Sequence, residues 1–504
     1  MSVLAIDAGT TGVTALVVTE DGRIESKGYE EFAQHFPEPG WVEHNPEDIW
    51  QATLSACAAA LRAATSRPAC LGITNQRETA VLWDRRTLAA PRRAIVWQDR
   101  RTAGSCERLR SAGHEPRVSE LTGLRLDPYF TASKLSWLAE HDRGSWAGVL
   151  SGDVVVGTVD SYLIARLTAG ARHVTDPSNA SRTLLYGLAS GSWEPELCEL
   201  FGVPESALPE IVPSYGPIGR TDPGAFLGLD LPISGVAGDQ QAALFGQTCF
   251  RVGEVKCTYG TGSFILTNTG QEIVRSDAGL LTTVAWQTPS GDITYALEGS
   301  IFVTGAAVQW LRDGLGLIGT APESEAVART VPDSGGVVFV PALTGLGAPY
   351  WDPEARGLIT GITRGTTRAH LVRATLEAIA FEVRDVVEVM TGKSAPAPNG
   401  AGSAPASNSA GSAPMFKADG GASGNDLLMQ MQADQLGTVV ERPVVQETTG
   451  LGAAFLAGLG SGVWGSADEL RETWRLDRRF EPGTRDDAAY ERWRAAVALA
   501  STQG

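Results

Sequence analysis

Apolar and polar positions divide the start of the chain into short apolar runs that are separated by polar turns. Residues 3–6 and 13–19 are apolar or β-branched, and the Asp-Ala-Gly-Thr-Thr-Gly segment at residues 7–12 lies between them. Runs of this length predict buried strands, and clustered glycine and threonine predict a turn. A second turn signal, Glu-Asp-Gly-Arg at residues 20–23, follows. We therefore predict that the chain begins as strand, Gly-Thr turn, strand, hairpin and strand.

A similar unit recurs roughly 250 residues later, a separation that suggests an internal duplication. Residues 254–258 predict a strand, residues 259–263 read Tyr-Gly-Thr-Gly-Ser, and residues 264–268 predict the returning strand. Two related domains would then carry Gly-Thr turns that could hold phosphate on either side of a cleft. Ordinary hairpins also contain such turns, so that alternative stays open.

Later segments show helical periodicity. Residues 370–390 and 425–436 carry apolar side chains at spacings typical of a helix with one buried face. Residues 447–458 are crowded with small side chains, as where a helix packs closely on its neighbours. Residues 394–414 contain only Ser, Ala, Pro, Gly and Asn. Such a segment buries too little apolar surface to offset its ordering entropy, so we predict a mobile surface insert there.

The composition is that of an ordinary globular protein, and 504 residues favour two large domains over one. Lys and Arg number 41 against 58 Asp and Glu, a formal net charge of −17. Such a surface repels nucleic acid and anionic membranes, so we predict no nucleic-acid partner. The six cysteines form no Cys-x-x-Cys pair, and we see neither a signal-peptide pattern nor an apolar stretch long enough to span a bilayer. These features predict a cytoplasmic protein without membrane insertion.

The glycine turns are candidates for phosphate binding, because glycine lets backbone N–H groups converge on an anion and threonine adds hydroxyl donors. Asp7 lies beside the first turn, where its carboxylate could hold Mg²⁺ against nucleotide phosphates or could merely cap the turn. The sequence has no G-x-x-x-x-G-K-[ST] run, which excludes a P-loop, and no His-Arg-Asp run like that of protein kinases. A third glycine loop, at residues 419–425, links a predicted strand to a predicted helix.

Many ordered runs together resemble the FGGY family of carbohydrate kinases. They include Asn75–Thr79, Ala94–Gln98, Gly157–Asp160, Asn179–Thr183, Ala237–Gly246, Thr258–Gly262, Leu297–Gly299, Gln309–Asp313 and Arg373–Glu377. The similarity spans nearly the whole chain, and only the insert at residues 394–414 stands apart from it.

The resemblance implies an α/β protein with the two-domain fold shared by actin, hexokinase and the Hsp70 ATPase, which is ribonuclease H-like and closes over a central cleft. It places an N-terminal domain at residues 1–246 and a C-terminal domain at residues 247–504. It further implies ATP-dependent phosphorylation of glycerol to sn-glycerol 3-phosphate, with Mg²⁺ and a homo-oligomeric state, dimer or tetramer. Two alternatives stay open: a kinase of xylulose, erythritol or gluconate, and a non-catalytic, actin-like nucleotide-binding protein.

The resemblance also assigns roles to single residues. Asp239 matches the catalytic carboxylate that would accept the proton of the substrate hydroxyl. The matching polyol contacts are Arg77, Glu78, Trp97, Tyr129, Asp239, Gln240 and Phe264. The matching nucleotide contacts are Thr10, Thr11, Gly12, Thr261, Gly305, Gln309, Gly421 and Asn425. Asp7 is the candidate metal ligand, on the strength of its place beside the first Gly-Thr turn.

Two positions depart from the family pattern. Thr14 stands where a phosphate-facing arginine is usual, and losing that guanidinium could weaken nucleotide binding. Asp230 stands where some bacterial members carry an arginine that binds the inhibitor fructose 1,6-bisphosphate. Because a carboxylate repels such an effector, we predict that this inhibition is absent or altered.

Overall fold

The computed structural model describes residues 1–392 and 415–501. The predicted insert at residues 394–414 lies outside the described residues. Within the described ranges, no helix is both long and apolar enough to cross a membrane. All six cysteines are buried and unpaired.

The first half of the chain alternates strands and helices. Its strands are β1 (Ser2–Ala8), β2 (Gly12–Thr19), β3 (Ile24–Glu31), β4 (Gln34–His35), β5 (Glu43–His44), β6 (Pro68–Asn75), β7 (Val81–Asp84), β8 (Ala94–Ile95), β9 (Val154–Gly157), β10 (Val174–Thr175), β11 (Tyr186–Gly187), β12 (Ser192–Trp193), β13 (Glu210–Ile211), β14 (Tyr215–Arg220) and β15 (Pro232–Gly238). Its helices are α1 (Pro46–Ala63), α2 (Ala103–Ser111), α3 (Glu115–Thr122), α4 (Thr131–His141), α5 (Arg143–Ser151), α6 (Val159–Leu167), α7 (Pro177–Ala180), α8 (Pro195–Phe201) and α9 (Asp239–Gly246).

The second half repeats the alternation. Its strands are β16 (Val255–Tyr259), β17 (Ser263–Gly270), β18 (Leu281–Gln287), β19 (Ile293–Ile301), β20 (Val338–Val340), β21 (Leu358–Thr360), β22 (Phe416–Asp419), β23 (Val440–Pro443) and β24 (Leu476–Phe480). Its helices are α10 (Gly305–Gln309), α11 (Glu323–Ala328), α12 (Arg368–Met390), α13 (Asp426–Leu436), α14 (Thr448–Gly460), α15 (Ala467–Thr473) and α16 (Asp487–Ala500). The predicted helices near residues 370–390, 425–436 and 447–458 correspond to α12, α13 and α14.

Two large sheets share the topology of five core strands. In the first sheet the order is β14-β15-β6-β1-β2-β3, with β1, β2 and β3 antiparallel and β6 and β15 parallel to β1. In the second sheet the order is β18-β19-β17-β16-β22-β23-β24, with β16, β17 and β19 antiparallel and β22 and β23 parallel to β16. A Gly-Thr turn joins the first two strands of each unit. The predicted duplication is therefore confirmed at the level of topology.

Helix α14 joins the two halves, because it comes late in the chain yet packs on the first sheet and on α9. The contact is made backbone to backbone. A Cβ atom at Gly72 would lie 2.1 Å from the Ala453 carbonyl oxygen, and one at Gly452 would lie 1.8 Å from the Ala242 carbonyl oxygen. The small side chains of this helix are thus a packing requirement, as the sequence predicted.

Candidate active site

The candidate site lies at the carboxyl edge of the first sheet. Ala8 of β1, Asn75 of β6 and Gly238 of β15 are aligned in register on three neighbouring parallel strands. Parallel strands end at the same edge of a sheet, which is where ligands bind in open α/β sheets. The chain segments that leave these strands are the first Gly-Thr turn, the Arg77-Glu78 pair and the start of α9 at Asp239.

A cluster of buried ion pairs, formed by Arg77, Arg182, Glu78, Glu298 and Asp239, lies below this edge. Both terminal nitrogens of Arg77 donate hydrogen bonds to the Glu298 carboxylate, at 2.6 and 3.1 Å. Arg182 donates to Glu78 at 2.7 Å and to Glu298 at 2.9 Å. The Arg77 Nε atom lies 3.0 Å from Asp239 Oδ1. Two guanidinium groups therefore hold three carboxylates in one fixed arrangement.

Exposure separates the three carboxylates of this buried ion-pair cluster. The side chain of Asp239 is 28 % exposed, whereas those of Glu78 and Glu298 are 1 % and 0 % exposed. Burial raises the pKa of Asp239 and of Glu78 despite the nearby arginines. Burial opposes ionisation of Glu298 too, but the charges of Arg182 and Arg77 lower its pKa to about 2. Asp239 is thus the carboxylate of the cluster that a ligand in the cleft could reach.

Local backbone geometry brings Arg77 under α9. Gly238 precedes the helix, and a Cβ atom there would lie 2.7 Å from the Cδ atom of Arg77. Glu78 has a φ of 61°, in the left-handed region that side chains other than glycine rarely adopt. This conformation accompanies the turn of its carboxylate toward Arg182. Such strain is stored where the surrounding structure fixes the residue, as it is at many functional sites.

Aromatic rings form a wall beside the charged cluster. The rings of Trp97 and Tyr129 lie 5.6 Å apart, and those of Trp97 and Phe264 lie 6.5 Å apart, all nearly edge to face. The Arg77 guanidinium lies 5.9 Å from the Phe264 ring and donates to the Tyr129 hydroxyl at 3.3 Å. The predicted polyol contacts Arg77, Glu78, Trp97, Tyr129, Asp239 and Phe264 therefore meet through direct contacts of this cluster and wall.

Hydrogen bonds tie the aromatic wall to the first Gly-Thr turn. The indole nitrogen of Trp97 donates to Thr10 Oγ1 at 2.9 Å. The side chain of Gln76 donates to the carbonyl oxygen of Gly9 at 3.0 Å and accepts from Thr79 at 2.9 Å. Thr11 is exposed at the tip of the turn and Gly12 begins β2. The first predicted phosphate turn and the predicted polyol pocket are thus one connected unit.

Gln240 is positioned by a lysine. Its backbone N–H donates to Asp239 Oδ1 at 2.7 Å, and its side-chain oxygen accepts from Lys256 at 2.5 Å. Lys256 lies on β16 of the second half and is fully buried. This contact therefore connects the two halves of the chain at the edge of the candidate pocket.

The second Gly-Thr turn packs against the start of α10. The backbone N–H of Gly305 donates to the Gly260 carbonyl oxygen at 3.0 Å, and that of Ala306 donates to the Thr261 carbonyl oxygen at 3.0 Å. Thr261 itself is exposed, as is Gln309 at the far end of α10. This turn therefore leaves the Thr261 side chain open to the cleft side while its backbone is fixed.

The third glycine loop lies beside the second turn. A Cβ atom at Gly420 would lie 2.6 Å from the Tyr259 carbonyl oxygen, so the loop and the turn touch. Gly421 is exposed, with no heavy atom within 4 Å of the position a Cβ would take. Asn425 caps α13 by accepting from the Leu428 N–H at 3.0 Å and donates to Ser324 at 3.2 Å.

Asp7 is held close to the charge of Asp239. Burial and then the Asp239 charge raise the pKa of Asp7 to about 7. Two mutually repelling carboxylates favour a cation between them. No group of three or more His, Cys, Asp or Glu able to hold a metal occurs within residues 1–392 and 415–501. A metal held at Asp7 would therefore need further ligands of other kinds, such as water or the oxygens of a bound molecule.

Comparison with known proteins decides the family. The N-terminal domain of the FGGY family of carbohydrate kinases matches residues 2–246, and the C-terminal domain of that family matches residues 255–461. This chain belongs to the FGGY family.

Individual FGGY kinases are similar over the full length. Glycerol kinase of Myxococcus xanthus is 51 % identical, covering 98 % of both chains. The crystal structure of Plasmodium falciparum glycerol kinase with ADP is 34 % identical with a TM-score of 0.87, covering 99 % of this chain and 98 % of that one. The xylulose kinase from Rhodospirillum rubrum is 26 % identical with a TM-score of 0.83, covering 99 % of both. The two-domain fold implied by the sequence is confirmed.

Sequence reasoning assigned no role to three residues that this FGGY kinase places at the centre of the site: Arg182, Glu298 and Lys256. Arg182 and Glu298 lie in runs that resemble the family. Glu298 and Lys256 are charged residues within buried strands. Glu298 is the one charged residue of β19, and Lys256 is the one charged residue of β16. A charge in a buried strand needs a partner, which is the signal that could have drawn attention to both.

Proposed function

We propose that this protein transfers the γ-phosphoryl group of ATP to a terminal hydroxyl of glycerol, giving sn-glycerol 3-phosphate and ADP. The observation that carries the proposal is that Asp239, alone among the carboxylates of the buried ion-pair cluster, is partly exposed, while the other two are buried. The name of the full-length relative that is 51 % identical supports glycerol as the substrate.

In the proposed reaction, Asp239 accepts a hydrogen bond from the attacking hydroxyl and then its proton. The hydroxyl oxygen forms a bond to the γ-phosphorus while the bond from that phosphorus to the β-phosphate oxygen breaks, and ADP leaves with those electrons. Arg77 keeps Asp239 in place through its 3.0 Å ion pair. Alignment of the two substrates supplies much of the rate, since little covalent chemistry falls to the protein.

The remaining glycerol contacts are proposed on the same geometry. Arg77 and Glu78 would fix the hydroxyls, and Trp97 and Phe264 would pack on the carbon chain. Because Glu78 is buried and paired with Arg182, its carboxylate would meet glycerol only at the floor of the pocket. Tyr129 and Gln240 would add a hydroxyl and an amide contact.

ATP is proposed to lie across the two Gly-Thr turns. Thr10, Thr11, Gly12 and Thr261 would contact phosphates, and Gly305, Gln309, Gly421 and Asn425 would contact the rest of the nucleotide. The exposed Thr11 and Thr261 and the open space above Gly421 support this placement. The residues present fit Mg²⁺, because the Asp7 carboxylate, near the end of β1 beside the first Gly-Thr turn, offers the oxygen ligands that this ion prefers. When bound with ATP, Mg²⁺ would supply charge neutralisation on the phosphates, with Asp7 as its protein ligand.

The alternative function is that of an FGGY kinase acting on another polyol or sugar, such as xylulose, erythritol or gluconate. The fold does not separate these substrates, since the Rhodospirillum rubrum xylulose kinase has the same architecture. A panel of acceptors assayed with ATP and Mg²⁺ tests the proposal. We expect glycerol to give the highest kcat/KM, and phosphorylation of a sugar but not of glycerol would overturn it.

The Asp239→Asn variant tests the assigned base. General-base catalysis contributes about 10²–10⁴-fold, so kcat should fall by that order while glycerol binding, measured by calorimetry, persists. The matched control is Asp230→Asn, a carboxylate that is 58 % exposed and paired with Arg220. Loss of glycerol binding together with kcat would point to a structural role, as in the non-catalytic alternative.

Three further points stay proposals of the same kind. We propose a cytoplasmic location, a homo-oligomeric assembly (dimer or tetramer), and a division of the chain into domains at residues 1–246 and 247–504. Size-exclusion chromatography with light scattering tests the second, and limited proteolysis near residue 246 tests the third.

A further inference from the structure

Lys256 is a buried cation that the proposed reaction does not use. Its Nζ atom donates to three oxygens: the Gln240 side chain at 2.5 Å, the Thr258 hydroxyl at 3.0 Å and the Phe264 carbonyl at 3.3 Å. An ammonium group has three donors and no acceptor, so these partners satisfy it completely. Its position in the apolar interior of β16 is therefore compensated by hydrogen bonds.

This contact has a consequence for Gln240. A side-chain amide can present either its oxygen or its N–H₂ group to a neighbour, and the hydrogen-bond network decides which. Lys256 can only donate, so Gln240 must turn its oxygen toward Lys256. Its N–H₂ group is then left for a ligand, on the residue that directly follows Asp239 and whose backbone N–H donates to Asp239 Oδ1 at 2.7 Å.

We propose that Lys256 is a positioning residue that fixes the polarity of the Gln240 amide and thereby makes the pocket specific for neighbouring hydroxyls. One hydroxyl gives its proton to Asp239, and the next accepts a hydrogen bond from Gln240. A site built in this way discriminates against an acceptor that lacks the second hydroxyl, because a polar group of the protein is then left unpaired. The inference rests on the proposed function, since the ligand is the polyol.

Substrate analogues and a methionine substitution test the proposal. The wild-type protein, Lys256→Met and Lys417→Met are compared with glycerol, propane-1,2-diol and propane-1,3-diol as phosphoryl acceptors. Lys417 is the matched control, since it is paired in register with Lys256 on β22, is also buried, and donates instead to Gln247 and Thr248.

In wild-type protein and Lys417→Met we expect a preference for glycerol over propane-1,3-diol, which lacks the hydroxyl next to the reacting one. In Lys256→Met the ratio of the two kcat/KM values should shrink by about tenfold, the equivalent of one hydrogen bond. The KM for glycerol should rise, and the KM for ATP should stay unchanged. A fall in kcat/KM by the same factor for all three acceptors would overturn the proposal, because a merely structural lysine would act in that way.

Gln240→Glu decides the matter even if Lys256→Met does not fold. Its carboxylate keeps an oxygen for Lys256, replaces the N–H₂ donor by a second acceptor oxygen, and adds a negative charge that Lys256 faces. We expect the KM for glycerol to rise about tenfold or more, and a wild-type KM would overturn the proposal. A wild-type protein that phosphorylates none of the acceptors would instead refute the proposed function, so the two failures are distinguishable.

Discussion

Replacing Glu298 by glutamine tests whether the buried ion-pair cluster stabilises the fold. Glutamine keeps the volume of the side chain but removes the charge that faces Arg77 and Arg182. All three side chains are at most 1 % exposed, so water cannot replace the lost carboxylate. Removing one partner of a buried ion pair typically costs about 3–5 kcal/mol.

The pKa of Glu298 gives a second measure of the same contribution. It falls from 4.5 to about 2 on folding. A difference of this size corresponds to about 3 kcal/mol at neutral pH. Because the folded pKa is the lower one, the stabilisation is fully present above pH 4.5 and is lost as the pH falls toward 2. The typical cost of breaking a buried ion pair and the pKa shift of Glu298 therefore both give a contribution of about 3 kcal/mol to the unfolding free energy.

Denaturant unfolding of the wild-type protein and Glu298→Gln at pH 7 and pH 3.5 measures this contribution. We expect a difference in unfolding free energy of about 3 kcal/mol at pH 7 that narrows by about 1 kcal/mol at pH 3.5. Glu120→Gln is the control, because its pair with Arg117 is largely exposed and should leave unfolding unchanged. A difference below about 1 kcal/mol at pH 7, or one independent of pH, would refute the reasoning.

Three other predictions follow from single positions. Asp7→Asn should raise the unfolding free energy by about 1–2 kcal/mol at pH 8, allowing for partial exposure. Burial raises the pKa of Asp7 to about 7, so its ionised form destabilises the folded state at that pH. This gain should disappear near pH 4, where the carboxyl is protonated in the folded state and half protonated in the unfolded one; an equal gain at both pH values would contradict the assignment. Gly452→Ala should lower the unfolding free energy by about 1–3 kcal/mol or more and so lower the thermal midpoint, since its Cβ would lie 1.8 Å from the Ala242 carbonyl oxygen. The control Gly144→Ala should leave the midpoint unchanged, since the nearest atom to its Cβ would lie 3.8 Å away. Inhibition of the proposed kinase activity by fructose 1,6-bisphosphate should be absent or altered in a steady-state assay, because Asp230 presents an exposed carboxylate. Tight inhibition would refute this prediction.

Local patterns of the sequence predicted several of the elements and pointed to the family. Apolar runs and Gly-Thr turns predicted β1, β2, β16 and β17, because strand formation and turn formation depend on residues that are close in the chain. The small residues of α14 predicted a close packing partner for the same local reason. The motif runs identified the FGGY family, since their order along the chain is itself a sequence property.

The tertiary structure alone decided which charges meet and which of them a ligand can reach. Arg77 and Glu298 are 221 positions apart, and only the meeting of the two sheets brings them within hydrogen-bond distance. The same meeting places Lys256 against Gln240 and leaves Asp239 more exposed than Glu78. Local periodicity carries no information about contacts between distant segments, because their partners and burial are set by how the whole chain packs.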